Sequence, residues 1–279
     1  MRTSNHRVVL ITGASSGIGQ TCGNYLYQRG YRVYGTSRHA KMPARVDRNH
    51  RQSASFILIP MDVTDEVSVR QGVDFVMQCE ERLDVVVNNA GIVIAGAVED
   101  TALEEAQYQF ETNFFGVIRV CRAVLPIMRQ QGGGYIVNIS SLGGLMGLPF
   151  QGLYSASKFA IEGLSEALRM EVRPYGIRVV MIEPGDTHPG TKRFKTQAAQ
   201  ADTVYVEQCN KAVGVMEADE MNGESPDKVV HLLERIITHP TPRLRYTVGP
   251  LPERIAVTAK KLIPSSVFEW GVMKYYKLL

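Results

Sequence analysis

A tyrosine and a lysine stand four residues apart in Tyr154-Ser-Ala-Ser-Lys158, at the head of a run with helical apolar spacing. Positions i and i+4 share one face of a helix, so the lysine ammonium and the phenol become neighbours. A free tyrosine ionises near pH ~10, and an adjacent cation favours the ionised form. That pairing turns a phenol into a proton donor and acceptor near neutral pH. Ser141 lies thirteen residues before the tyrosine, at the end of a β-rich run. Its hydroxyl is of the type that stabilises an oxygen gaining negative charge.

The remaining elements must bring a reactant to these three side chains. Residues 7–12 (RVVLIT) read as a buried strand. They run into Gly13-Ala14-Ser15-Ser16-Gly17-Ile18-Gly19, and helical spacing continues to Gly30. Strand, glycine turn and helix is the setting in which backbone approaches a phosphate and the helix start offers it free N–H groups. The spacing is G-x-x-x-G-x-G rather than the commoner G-x-G-x-x-G, and a turn without ligand is the alternative. The second strand, residues 31–38, ends in Ser37-Arg38 with no acid. An acid there binds ribose hydroxyls, whereas an arginine accommodates a 2′-phosphate, so Arg38 argues for NADP(H). A solvated loop arginine is the competing account.

Further strands are read at residues 56–60, 83–87, 135–139, 177–182 and 245–248. The third is followed by Asp62-Val63 and the fourth by Asn88-Asn89-Ala90-Gly91. Small residues after a strand let backbone pass close to a ligand; for the asparagines, a turn is the alternative. Residues 101–131 predict one long helix carrying Asn113 amid apolar neighbours, an ill-favoured helical position that a satisfied core amide would also explain. Residues 152–175 predict the helix of Tyr154 and Lys158. The sixth strand leads to Pro184-Gly185 and Thr187. Residues 187–225 are loosely patterned, as lids often are. Residues 226–238 predict a capped helix.

Strands alternating with helices imply an α/β fold, a doubly wound parallel seven-stranded sheet (Rossmann-like), in a single domain. Residues 1–250 carry the glycine turn and the tyrosine. Residues 251–279 form a C-terminal amphipathic extension that Pro264 breaks in two. The extension either packs across a cleft or a partner subunit, which is favoured, or rests on a membrane surface.

Thirty-one basic and 28 acidic residues among 279 leave a net charge of +3 and no basic run, which argues against nucleic acid. Four cysteines without metal-like spacing argue against a metal and read as reduced thiols, so a cytoplasmic protein is expected. No apolar run approaches the ~20 residues of a membrane span, and no signal peptide is expected.

With Thr12-Gly13-x-x-x-Gly17-Ile18-Gly19, Asp62, Asn88-Asn89-Ala90-Gly91, Asn113, Ser141, Tyr154-x-x-x-Lys158 and Pro184-Gly185 in order, the chain resembles the short-chain dehydrogenase/reductase family. Its Ser141–Phe150 segment and tail look most like the steroid and retinoid dehydrogenases. The resemblance implies hydride transfer between a nicotinamide and an apolar alcohol or carbonyl. It implies Tyr154 as proton donor, Lys158 on the nicotinamide ribose, Ser141 on the substrate oxygen and Asn113 holding a relay water. Gly13, Ser15, Ser16, Gly17, Ile18 and Gly19 would line the pyrophosphate, and Ser37 and Arg38 the 2′-phosphate. Asp62 and Val63 would meet the adenine, Asn89, Ala90 and Gly91 the rest of the dinucleotide, and Pro184, Gly185 and Thr187 the nicotinamide. The family's usual threonine position is Pro189, with Thr187 or Thr191 as substitutes. A homodimer or homotetramer is implied as well. A non-catalytic NADP(H)-binding regulator and a sugar epimerase or dehydratase are the alternatives.

Overall fold

The structure, a computed structural model, describes residues 7–43, 55–188, 194–196 and 203–279. Its strands are β1 (Val8–Ile11), β2 (Arg32–Ser37), β3 (Ile57–Pro60), β4 (Val85–Asn88), β5 (Val93–Ala95), β6 (Gly134–Ile139), β7 (Ile177–Pro184), β8 (Phe194–Thr196) and β9 (Arg245–Val248). Seven of them form the expected parallel sheet, in the order β3-β2-β1-β4-β6-β7-β9. The remaining two, β5 and β8, pair separately in a small parallel sheet that residue periodicity did not predict.

Helices α1 (Gly17–Gln28), α2 (Glu66–Glu80), α3 (Leu103–Phe110), α4 (Gly116–Gln130), α5 (Gly152–Val172), α6 (Val206–Met221) and α7 (Asp227–Thr238) alternate with the strands. Two more, α8 (Leu251–Ala259) and α9 (Ser265–Tyr275), form the C-terminal extension. In β1, Val8 and Leu10 pack with residues of α2, α4 and α5, while Val9 and Ile11 pack with α1 and α7. Side chains alternate across a strand, so a strand covered on both faces must be apolar at every position. That is why these runs read as unbroken apolar stretches. The chain moves outward from β1 to β3 and then returns to β4 to build the other half. The loops leaving β1 and β4 therefore diverge, and a crevice opens at the C-terminal edge of the sheet.

Two expectations need correcting. Residues 101–131 are not one α-helix: α3 ends at Phe110, and a π turn over Glu111–Phe115 precedes α4. Its wide hydrogen bond runs from Gly116 N–H to the Glu111 carbonyl. Such turns insert an extra residue and concentrate at functional sites; this one carries Asn113. Within residues 187–225, the expected loose lid contains the sixteen-residue α6. Cys209, Ala212, Val213 and Met216 of α6 pack with Ala95 and Tyr276.

Val257 of α8 packs on Leu142 and Met146, beside the serine turn. Among the described residues no helix is long and apolar enough to cross a membrane, and no cluster of metal-ligand type is present. All four cysteines are free, and burial pushes the Cys22 and Cys121 thiols up to about 12.

Candidate active site

Tyr154 stands in the first turn of α5, and Lys158 one turn later. The lysine is buried, its Nζ donates to the Ile139 carbonyl at 2.9 Å, and it lies 5.8 Å from the centre of the Tyr154 ring. Ser141 follows the end of β6. Its Oγ accepts the Gly143 N–H at 3.0 Å, so its own proton remains to be donated. A Cβ on Gly143 would sit 3.2 Å from the Tyr154 ring and 3.4 Å from Ser141 Oγ. The bare backbone of Gly143 thus leaves the Tyr154 ring its place beside the serine turn. The sequence reading missed this residue; its signal was the Gly143-Gly144 pair directly after the serine.

The glycine turn is shaped for close approach. Gly13 and Gly17 have φ of +64° and +56°, a region that L side chains rarely enter, and a Cβ on Gly13 would lie 2.8 Å from Ala90 Cα. Ser16 does not cap α1 with its side chain, which leaves the first N–H groups for an anion. Gly13, Ser15, Ser16 and Ile18 line the cleft; Gly17 and Gly19 shape the turn without lining it. A dinucleotide pyrophosphate fits this cradle.

Thr12 and Asn89 hold the cradle in place. Thr12 Oγ1 accepts from Asn89 N and Ala90 N, both at 3.0 Å. Asn89 Nδ2 donates to the carbonyls of Thr12 and Gly13, both at 2.9 Å. Thr12 was absent from the expected site residues.

Ser37, Arg38, Asp62, Val63, Ala90 and Gly91 also line the cleft. The Arg38 guanidinium donates to the Tyr108 hydroxyl of α3. Asp62 Oδ1 accepts from Thr64 N and Oγ1 at 2.9 and 2.8 Å. Asn88 is buried, and its Nδ2 donates at 2.8 Å to Asn138 Oδ1, which ties β4 to β6. Its place is in the core.

Asn113 is fully buried and does not line the cleft. Its Oδ1 accepts from Ile92 N at 2.8 Å; its Nδ2 donates to the Ile92 carbonyl at 2.9 Å and to Ser157 Oγ at 3.1 Å. The side-chain amide is therefore committed to protein partners. It joins the segment after Gly91 to α5, beside Lys158.

Pro184, Gly185 and Thr187 line the far wall. Thr187 Oγ1 donates to the Gly185 carbonyl at 3.0 Å, while Pro189 and Thr191 lie outside the described residues. Glu253 of α8 reaches this wall, and its Oε2 accepts the Asp186 N–H at 3.0 Å. Burial, then the charges of Glu253, Asp219 and Glu220, push the Asp186 carboxyl up to about 8. Glu253 is also raised, chiefly by burial. Behind them burial pushes Glu183, which accepts from Thr247, up to about 7.

Groups raised on folding hold protons that the unfolded chain releases. The stability they contribute is complete below the unfolded carboxylate range and is lost as pH rises towards about 7–8. Asp186→Asn should match the parent protein below pH ~4 and retain a Tm higher by roughly 2–4 °C near pH ~8. Thermal melts across that window check it, and a pH-independent difference between the two proteins contradicts it.

Ser141, Tyr154, Lys158, the glycine turn and the Pro184–Thr187 wall border one cleft of about 600 Å³, within the range of small-molecule sites. Its glycine-turn end is polar. Its other end is bordered by Leu142, Met146, Leu148, Met216, Val272 and Tyr276. A doubly wound sheet, a phosphate cradle at its switch point and a tyrosine–lysine pair between the two ends define a nicotinamide-dinucleotide oxidoreductase.

The model of the family described as short chain dehydrogenase matches residues 7–201, and the chain belongs to that family. It is 38% identical to 3-ketodihydrosphingosine reductase of Bacteroides thetaiotaomicron across 98% of both chains. It is 32% identical to retinol dehydrogenase 8 of Bos taurus, across 93% of this chain and 78% of that one. Among solved structures, a short-chain dehydrogenase from Streptomyces avermitilis superposes with a TM-score of 0.79 at 31% identity, covering 98% of each chain. The likeness to a retinol dehydrogenase thus extends over most of both chains.

Proposed function

We propose that the protein is an NADP(H)-dependent oxidoreductase that interconverts an apolar ketone or aldehyde and the corresponding alcohol. The observation that carries the reading is the convergence of Ser141, Tyr154 and Lys158 where the polar and apolar ends of the cleft meet. Gly13, Ser15, Ser16, Ile18, Ala90 and Gly91 hold the dinucleotide, with Arg38 and Ser37 on its 2′-phosphate and Asp62 and Val63 at the adenine. The nicotinamide, when bound, supplies or accepts the hydride. Ser141 donates to the substrate oxygen. Tyr154 gives that oxygen its proton in reduction and takes it back in oxidation. The Lys158 ammonium stabilises the charge left on the phenolate. Asn113, through Ile92 and Ser157, positions the segment beside Lys158.

Residues 1–250 form the cofactor-binding and catalytic unit, and residues 251–279 close the substrate end. The Bacteroides relative, named for a lipid ketone, favours a lipid-like substrate over a small one. The exposed Phe115, Phe159, Met170 and Tyr175 on α4, α5 and their neighbouring turns support a homodimer or homotetramer built through those helices. The four free thiols support a cytoplasmic location.

A panel of carbonyls graded in apolar size, followed by NADPH absorbance, tests the activity. Turnover with kcat/KM rising with apolar size is expected. NADPH binding without turnover on any member would instead favour the non-catalytic regulator.

A further inference from the structure

The two helices of the C-terminal extension face two ways. Pro252, Glu253 and Ala256 of α8 and Gly271, Val272 and Tyr275 of α9 border the cleft. The same segment leaves Leu251, Ile255, Leu262, Val267, Trp270 and Met273 exposed, Leu262 by 78% and Trp270 by 55%. Five cations lie among them, Arg254, Lys260, Lys261, Lys274 and Lys277, all exposed, against a single exposed acid, Glu269. Lys274 lies 5.1 Å from the centre of the Trp270 ring, and Lys260 anchors to the Leu145 carbonyl at 2.7 Å.

Apolar side chains and an indole set among lysines match the boundary of an anionic bilayer, where acyl chains take the first and headgroups the second. A second copy of the chain fits less well. A two-fold contact through this face would set each cluster of five cations against its twin. The distribution is concentrated: the chain's net charge is only +3 over 279 residues.

We propose that the outer face of α8 and α9 docks on an anionic lipid surface and draws its apolar substrate from there into the cleft that the inner face closes. The second half of this statement rests on the apolar-substrate reading; the first is scored without turnover, so the two fail separately.

Vesicles of phosphatidylcholine, with and without phosphatidylserine, are sedimented with the full chain at low and high salt. Binding to the anionic vesicles, weakened by salt, is expected. The variant Leu262→Ser/Trp270→Ser/Lys261→Glu/Lys277→Glu should bind at least about tenfold more weakly, with unchanged activity on a water-soluble carbonyl as the check on folding. Equal sedimentation of parent and variant, or none by the parent, overturns the proposal. So does a parent dimer, seen by light scattering, that the same substitutions split into monomers, because a second copy then occupies the face.

Discussion

Tyr154→Phe is expected to lower kcat by about 10²–10⁴-fold, the range of a positioned general acid or base, while NADPH binds within about twofold of the parent affinity. The separation follows from geometry. The phenylalanine ring keeps the contact with Gly143 and the place 5.8 Å from the Lys158 ammonium, so neither the serine turn nor α5 needs to move. What is lost is the one hydroxyl that carries the proton. Ser141 can still polarise the substrate oxygen through its free O–H, which accounts for residual turnover rather than none. Single-turnover measurement of NADPH oxidation with fluorescence titration of NADPH separates the two quantities. Parent-like turnover in the variant would remove Tyr154 from the chemistry. A parallel loss of NADPH binding would make it a structural residue instead.

Arg38→Asp is expected to lower the kcat/KM ratio of NADPH over NADH by about 10²–10³-fold. A hydrogen bond to a charged group contributes about 1.5–3 kcal/mol, and the guanidinium presents a planar fork that matches a phosphate. The aspartate removes this, repels the 2′-phosphate and supplies an acceptor for the ribose hydroxyls of NADH. Arg38 lines the cleft and is steadied by the Tyr108 hydroxyl, so the substitution changes charge at a defined place. Steady-state kinetics with both coenzymes give the ratio. An unchanged ratio would strip Arg38 of its role and the NADP(H) reading of its main support.

Much of this site is local. Gly13 and Gly17 need positive φ, which their side-chain-free backbone permits, so a glycine motif between strand and helix is visible in one dimension. Tyr154 and Lys158 are linked by the helical repeat alone. Arg38 is found by its place at the end of β2, and the seven strands by apolar runs that a doubly covered sheet requires. Asn113 was legible as a residue, but its surroundings were not. Its neighbours looked helical, but the turn it sits in is π, and its amide partners, Ile92 and Ser157, are 21 and 44 positions away.

The sequence by itself determined the sheet, the glycine turn and the tyrosine–lysine pair, because each depends on residue type and on spacings within a single strand, turn or helix. Tertiary structure alone decided what lies between and around them. It placed Gly143 where any side chain would press on the Tyr154 ring. It made Thr12 and Asn89 the lock on the glycine turn across 77 positions of chain. It carried Glu253 back 67 positions onto Asp186, and so joined two carboxyl groups that no pattern connects. Those contacts follow from the packing of distant segments, and burial, which raises the carboxyl pKa values, exists only once that packing has formed.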